Sequence, residues 1–211
     1  MTESSINITD LFETILKKWK FLLLALVLGV AASSVYSFLL AKPVYRVTSS
    51  LYVGNPEIEE GEKDGFEYKR EVESFMLLMP TYKEIAESNA VKLAVMEATG
   101  ADWDDIELES NVTIYHMGGT QVLKFQVESS DVQEAISVAN AFVEITKSVS
   151  QEIRGIDLVQ PLDRAVKPDY PISPIHTNNI ILGAVLGLLL ALGFVVFKEV
   201  FQKLRKRKIS L

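Results

Sequence analysis

Two uncharged apolar runs, residues 21–40 and 180–197, lie near the two ends of a 211-residue chain and constrain it more than any other feature. Coiled as helices they reach roughly 30 and 27 Å, about one hydrocarbon thickness of a bilayer. A helix satisfies its own backbone hydrogen bonds, which lipid cannot do, so each run is expected to span a membrane. The first run is longer than the apolar core of a cleaved signal peptide. Leu39-Leu40-Ala41 also offers no clean small-x-small cleavage site, so it is expected to stay as an anchor.

Positive charge beside the spans sets their direction. On the side of the two tails stand Lys17, Lys18, Lys20, Lys198, Lys203, Arg205, Lys206, Arg207 and Lys208. The intervening segment has only Lys42, Arg46, Arg164 and Lys167 near the spans. Nine against four places both termini in the cytoplasm and the middle outside. The chain carries −7 in total, the first 20 residues balance, and the tail after Phe197 is +5, leaving about −12 for the middle. Such a surface excludes nucleic acid as a partner and repels anionic polymers, while keeping a domain soluble. There is no cysteine, so an exposed domain would depend on its core alone.

Before the first span, Ile8, Leu11, Phe12, Ile15, Leu16 and Trp19 recur at helical spacing and predict an amphipathic lead-in. After Pro43 the alternation of Tyr45, Val47, Ser49, Leu51 and Val53 predicts a strand. Residues 55–65 read as a loop. Residues 66–78 and 81–87 read as helices ended or kinked by Pro80, followed by a helix capped at Ser88 and closed by Gly100. A short helix is expected over 102–109. Residues 112–117 and 122–128 flank Gly118-Gly119-Thr120 and predict a hairpin. A long helix follows Asp131 to about residue 153, and a last strand covers 158–166. The middle is therefore expected to be one α+β domain, three to four strands with packed helices, between two transmembrane helices.

Three further patterns stand out. Ala165 is followed by Pro168, Pro171 and Pro174, the three-residue period of polyproline II, which predicts a stiff spacer over 167–178; the plain alternative is a helix-stop linker. Small residues fall four apart on both spans, Ala25, Gly29, Ser33 and Ser37 on the first and Gly183, Gly187 and Ala191 on the second. That spacing favours close helix packing within a chain or between subunits, and hence a homo-oligomer. The tail places Lys198, Phe201, Leu204, Arg205, Lys206, Arg207 and Lys208 where apolar anchors alternate with bases. It suits both a grip on anionic headgroups and a helix laid in a partner's groove.

Catalytic constellations are missing. There is no cysteine nucleophile, no Gly-x-Ser-x-Gly elbow and no phosphate-binding loop. His116 falls on a predicted strand and His176 in the linker. Asp102, Asp104, Asp105 and Glu107 lack the spacing of a calcium loop and read as a solvated helical turn. The expectation is a non-enzyme, without cofactor or metal.

With these pieces in order, the chain resembles the Wzz-type chain-length determinants, or polysaccharide co-polymerases. The likeness rests on Ile8-Thr9-Asp10-Leu11, the strand after Pro43, Ala135-x-x-x-Ala139-Asn140, and Ala165-x-x-Pro168-x-x-Pro171-x-x-Pro174 leading into a span. The middle is shorter than in the Gram-negative O-antigen regulators, and the chain stops 14 residues after Phe197 with no kinase domain. That combination resembles the split capsule and exopolysaccharide systems of Gram-positive bacteria. The resemblance implies a membrane adaptor that recruits and activates a cytoplasmic bacterial tyrosine kinase. It also implies a ring, an octamer by analogy, beside a polymerase and flippase, with the outer domain limiting glycan length. The implied layout is a cytoplasmic lead-in over 1–20, spans over 21–40 and 179–197, an extracellular domain over 41–166, the spacer, and a basic cytoplasmic tail over 198–211. A two-span sensor of an outside ligand is the alternative, though no output module accompanies it.

Overall fold

A computed structural model describes residues 16–54, 65–154 and 158–209. The lead-in residues Ile8, Leu11, Phe12 and Ile15 and nearly all of the 55–65 loop lie outside the described residues. The chain divides into two compact units, one made of residues 1–42 and 174–211 and the other of 43–173.

The first unit holds two long apolar helices. The first, α1 (Trp19–Val35), continues into a π-helical turn, Tyr36–Leu40, where the Ala41 amide donates to the Tyr36 carbonyl five residues back. The last, α6 (His176–Ile209), is one unbroken helix through the second apolar run and into the basic tail. It begins at His176, inside the segment read as a spacer.

The second unit is a four-stranded antiparallel sheet with packed helices. Its elements are β1 (Tyr45–Val53), α2 (Gly65–Glu87), α3 (Asn89–Thr99), α4 (Asp105–Asn111), β2 (Val112–His116), β3 (Val122–Ser129), α5 (Val132–Arg154) and β4 (Val159–Asp163). The strand order is β2-β3-β1-β4. Alternation sends one face inward. Val47, Ser49 and Leu51 of β1 stand opposite Val127, Phe125 and Leu123 of β3, and Ile114 of β2 stands opposite Phe125. All of them are buried. Such one-sided burial is the ordinary arrangement of an antiparallel sheet.

Helix α5 covers that face with Ala135, Val138, Ala139 and Phe142, at the spacing of one helical stripe. The small side chains of Ala135 and Ala139 bring the helix close enough for the buried Ser49 hydroxyl to donate to the Ala139 carbonyl at 2.6 Å. Phe142 stacks on Phe125, centroids 6.0 Å apart.

Local chemistry sets the ends of the elements. Ser88 accepts from the Val91 amide at the start of α3, and Gly100 closes it at φ 69°. Asp131 accepts from the amides of Gln133 and Glu134 at the start of α5. Asp104 and Glu107 form a reciprocal capping box on α4. Gly119, at φ 78°, supplies the left-handed residue of the hairpin turn.

Pro80 does not end or kink its helix into two, as the sequence had suggested. It sits exposed inside the continuous α2. Phe75 and Met79 before it, and Tyr82 and Ala86 after it, are all buried. That stripe runs across the proline, so burial on both sides outweighs the one hydrogen bond Pro80 cannot donate. The expected last strand, 158–166, is shorter at Val159–Asp163.

The hydroxyls of Thr146 and Ser150, one turn apart on α5, are buried and have no hydrogen-bond partner among the described residues. An unmade buried bond costs about 1–3 kcal/mol, and removing the polar group relieves it. Thr146→Val is therefore expected to hold or raise the thermal midpoint of the purified chain. Ala139→Leu, which wedges α5 off Ser49, is expected to lower stability by about 1–3 kcal/mol. Thermal unfolding followed by circular dichroism checks both.

Candidate functional site

The helix pair is where most of the singled-out residues gather. Two helices, Trp19–Leu40 and His176–Gln202, are long and apolar enough to cross a membrane. They run antiparallel, and the contacts step along the pair in order. Phe21 lies against Phe194 with ring centroids 5.8 Å apart. Next, the Ala25 carbonyl and the Gly29 Cα lie 2.7 and 3.2 Å from where a Cβ on Gly187 would stand. A Cβ on Gly29 would strike the Gly183 carbonyl, and one on Gly183 would strike Ser33. Ala191 is buried beside them. The small faces of the two helices thus meet each other within one chain. In lipid no hydrophobic gain accompanies helix association, so this backbone contact supplies much of the attraction.

Serine hydroxyls inside the first helix do not face lipid unpaired. Ser33 and Ser34 both donate to the Val30 carbonyl, at 3.0 and 2.8 Å. Ser37 does something else. It is 1% exposed, and its Oγ lies 2.9 Å from His176 Nδ1 and accepts from Asn179 Nδ2 at 3.0 Å. A hydroxyl both donates and accepts, so Ser37 can meet either tautomer of the His176 ring while it accepts from Asn179. Phe38 stacks on the His176 ring, centroids 4.1 Å apart and 11° from parallel. Ser37 and Phe38 belong to the π-helical turn, whose wider loop re-aims side chains at the end of a helix. Sequence reasoning placed His176 in a linker and missed this cluster. A pattern of His176 and Asn179 three apart, just ahead of an apolar run, was the available signal.

The proline segment leads from the sheet unit toward the last helix. Its backbone bends at Asp169, Tyr170 and Ile172. Ala165, at its head, is buried and its amide donates to Asn140 Oδ1 on α5 at 2.8 Å. Farther along, the Ile172 amide donates to the Val44 carbonyl and the Val44 amide to the Ser173 carbonyl, at 2.8 and 3.0 Å. Pro168 and Pro171 fall between these two ties, and Pro174 follows the second. The first and last residues of the sheet unit are thereby clasped together.

The basic residues of the tail lie on the continuation of α6, so Lys198, Phe201, Leu204, Arg205, Lys206, Arg207 and Lys208 share one helical backbone. Phe201 stacks on Phe197 at 6.1 Å and both are exposed. Elsewhere, the sheet unit has an open recess of about 300 Å³ where Glu87, Lys92 and Glu109 border Leu108, Ile114 and Phe142. Among the described residues no three acidic or imidazole groups converge as a metal would require. Asp104 and Glu107 are committed to the α4 cap.

Gly187→Leu is expected to force the helices apart and lower the thermal midpoint of the detergent-solubilised chain. Gly193→Leu, whose side chain would enter open space, is expected to leave it unchanged.

Comparison with known proteins adds a family. A profile of the Wzz family, chain length determinant protein, matches residues 4–99. Over 201 residues the chain is 28% identical to the capsular polysaccharide type 5 biosynthesis protein cap5A of Staphylococcus aureus (strain Newman), covering 95% of this chain and 89% of that one. It is 25% identical to the capsular polysaccharide biosynthesis protein CpsC of Streptococcus agalactiae, over 88% of this chain and 79% of the relative. Among solved structures, a full-length bacterial polysaccharide co-polymerase shares the fold with a TM-score of 0.56, across 93% of this chain and 99% of the other, at 10% identity. The chain is thus similar to the Wzz chain length determinant proteins over residues 4–99 and to capsular polysaccharide biosynthesis proteins over most of its length.

Proposed function

We propose that this protein is a two-span membrane subunit of capsular or exopolysaccharide biosynthesis, regulating how long the polymer grows and how it is exported. The observation that carries this reading is the antiparallel helix pair, closed glycine to glycine, which brings Lys17, Lys18 and Lys20 and the bases from Lys198 onward to one end of the pair. With nine bases beside the spans on that side and four on the other, both termini face the cytoplasm and the acidic sheet unit faces outward. Relatives named for capsular polysaccharide biosynthesis support the pathway.

In this reading copies of the chain assemble as a ring beside the polymerase and flippase, on surfaces other than the glycine faces that the two helices occupy between themselves. The basic tail, carried on the end of α6, docks a cytoplasmic tyrosine kinase and activates it, with Phe201 as an exposed anchor. The bases of 205–208 also hold anionic headgroups, at about 1 kcal/mol each.

Deletion of the gene, with the surface polymer sized on a gel, is expected to change the amount or length distribution of the glycan. Removing residues 201–211 is expected to leave membrane insertion intact and to lower tyrosine phosphorylation of the kinase. Normal polymer in the deletion strain contradicts the first role, and unaltered phosphorylation contradicts the second.

A further inference from the structure

The helix pair leaves a groove on one side because its closest contacts are made by residues without side chains. Gly29 and Gly187 form its floor, Leu28 and Leu190 its walls, and its volume is about 400 Å³. No charged residue lines it. At one end Phe21 and Phe194 close the groove and form the shared wall of a second recess of about 180 Å³. That recess is bordered by Lys18 and Lys198, one from each helix, and by no carboxylate. Among the described residues neither lysine is recorded in an ion pair.

The dimensions suit one leaflet. From Lys18 to Gly29 is eleven residues, about 16 Å of helix, and half of a hydrocarbon core is roughly 15 Å. An apolar groove of that depth, capped by two ammonium groups, matches an amphiphile with a hydrocarbon chain and an anionic head. Lysine offers a compact charge with three donors, suited to a phosphate. A zwitterionic head would bring its own cation against the two lysines. Basic pockets between membrane helices are a general mode of anionic lipid recognition.

We propose that this groove holds one anionic phospholipid from the leaflet bordering Lys18 and Lys198. Its acyl chain lies along Gly29 and Gly187 past the Phe21–Phe194 pair, and its phosphate accepts hydrogen bonds from both lysines. The lipid fills the space that the glycine contact leaves open, and it bridges the two helices at the end where their tails begin. The site rests on the two-span reading, and carbonate extraction of membranes separates the two claims. A chain released by carbonate fails the two-span reading before any lipid is counted.

The test uses the full chain in nanodiscs of equal phosphatidylglycerol and phosphatidylcholine, extracted into mild detergent, with retained lipid counted by native mass spectrometry. Phosphatidylglycerol is expected to be retained over phosphatidylcholine by roughly thirtyfold, the preference two surface charges confer. Lys18→Gln with Lys198→Gln is expected to abolish that preference, and Lys20→Gln with Lys203→Gln to leave it. Leu28→Trp, which fills the groove and keeps both lysines, is expected to reduce retention. Excess inorganic phosphate is expected not to displace the lipid. Equal retention of both lipids overturns the proposal. Displacement by phosphate, or an equal loss in the Lys20 and Lys203 variant, also overturns it, because the first indicates a free-anion site and the second a diffuse basic surface.

Discussion

Two helix backbones come within touching distance at Gly29, Gly183 and Gly187, and much of the molecule follows from that contact. Lipid gives apolar helices no hydrophobic reason to associate, so the gain must come from close packing, and only residues lacking bulk allow it. Because the pair is antiparallel, the contact also decides which groups share an end. Lys18 and Lys198 border one recess, while Ser37, His176 and Asn179 form a polar cluster at the opposite end. Charge and polarity are thus sorted along the helix axes by a contact that is itself neutral.

The sheet unit solves a different problem with similar means. It has no disulfide, and its stability comes from helices packed with four strands around one core, α5 lying directly on the sheet. Small residues again set the distance, since Ala135 and Ala139 let α5 approach until Ser49 reaches a helix carbonyl. Asn140, the next residue on α5, catches the Ala165 amide and steers the chain leaving β4. Val44 and Ser173 then tie the unit's two ends together. These links turn a sheet into a closed module whose first and last residues are held by backbone hydrogen bonds.

What could be read from the residues alone follows from how far each determinant lies from its effect. The caps at Ser88 and Asp131, the stop at Gly100 and the glycine turn at Gly118-Gly119 act over a few residues, and each stands where the pattern placed it. The strand order β2-β3-β1-β4 depends on pairings across most of the unit, and no local signal carries them. Pro80 misled for the same reason, because the buried stripe on both sides of it is a tertiary effect. The small faces of the spans were legible as packing faces, but their spacing could not say whether the partner was the same chain. Ser37 and His176 are 139 residues apart, and the π-helical turn that joins them has no propensity signature. Ala165 and Asn140 were both singled out, yet nothing in the sequence said that they touch.

The central claim is that the two helices thread one bilayer as a hairpin, leaving both ends of the chain on one face. The chain contains no cysteine, so single cysteines report on their own surroundings. The direct measurement is labelling of Ser5→Cys, Thr113→Cys and Ser210→Cys in intact protoplasts with a membrane-impermeant maleimide. Thr113→Cys, exposed on β2, is expected to react at once, and the other two only after the membrane is opened. Labelling of either end in sealed protoplasts, or protection of Thr113→Cys, would contradict the hairpin.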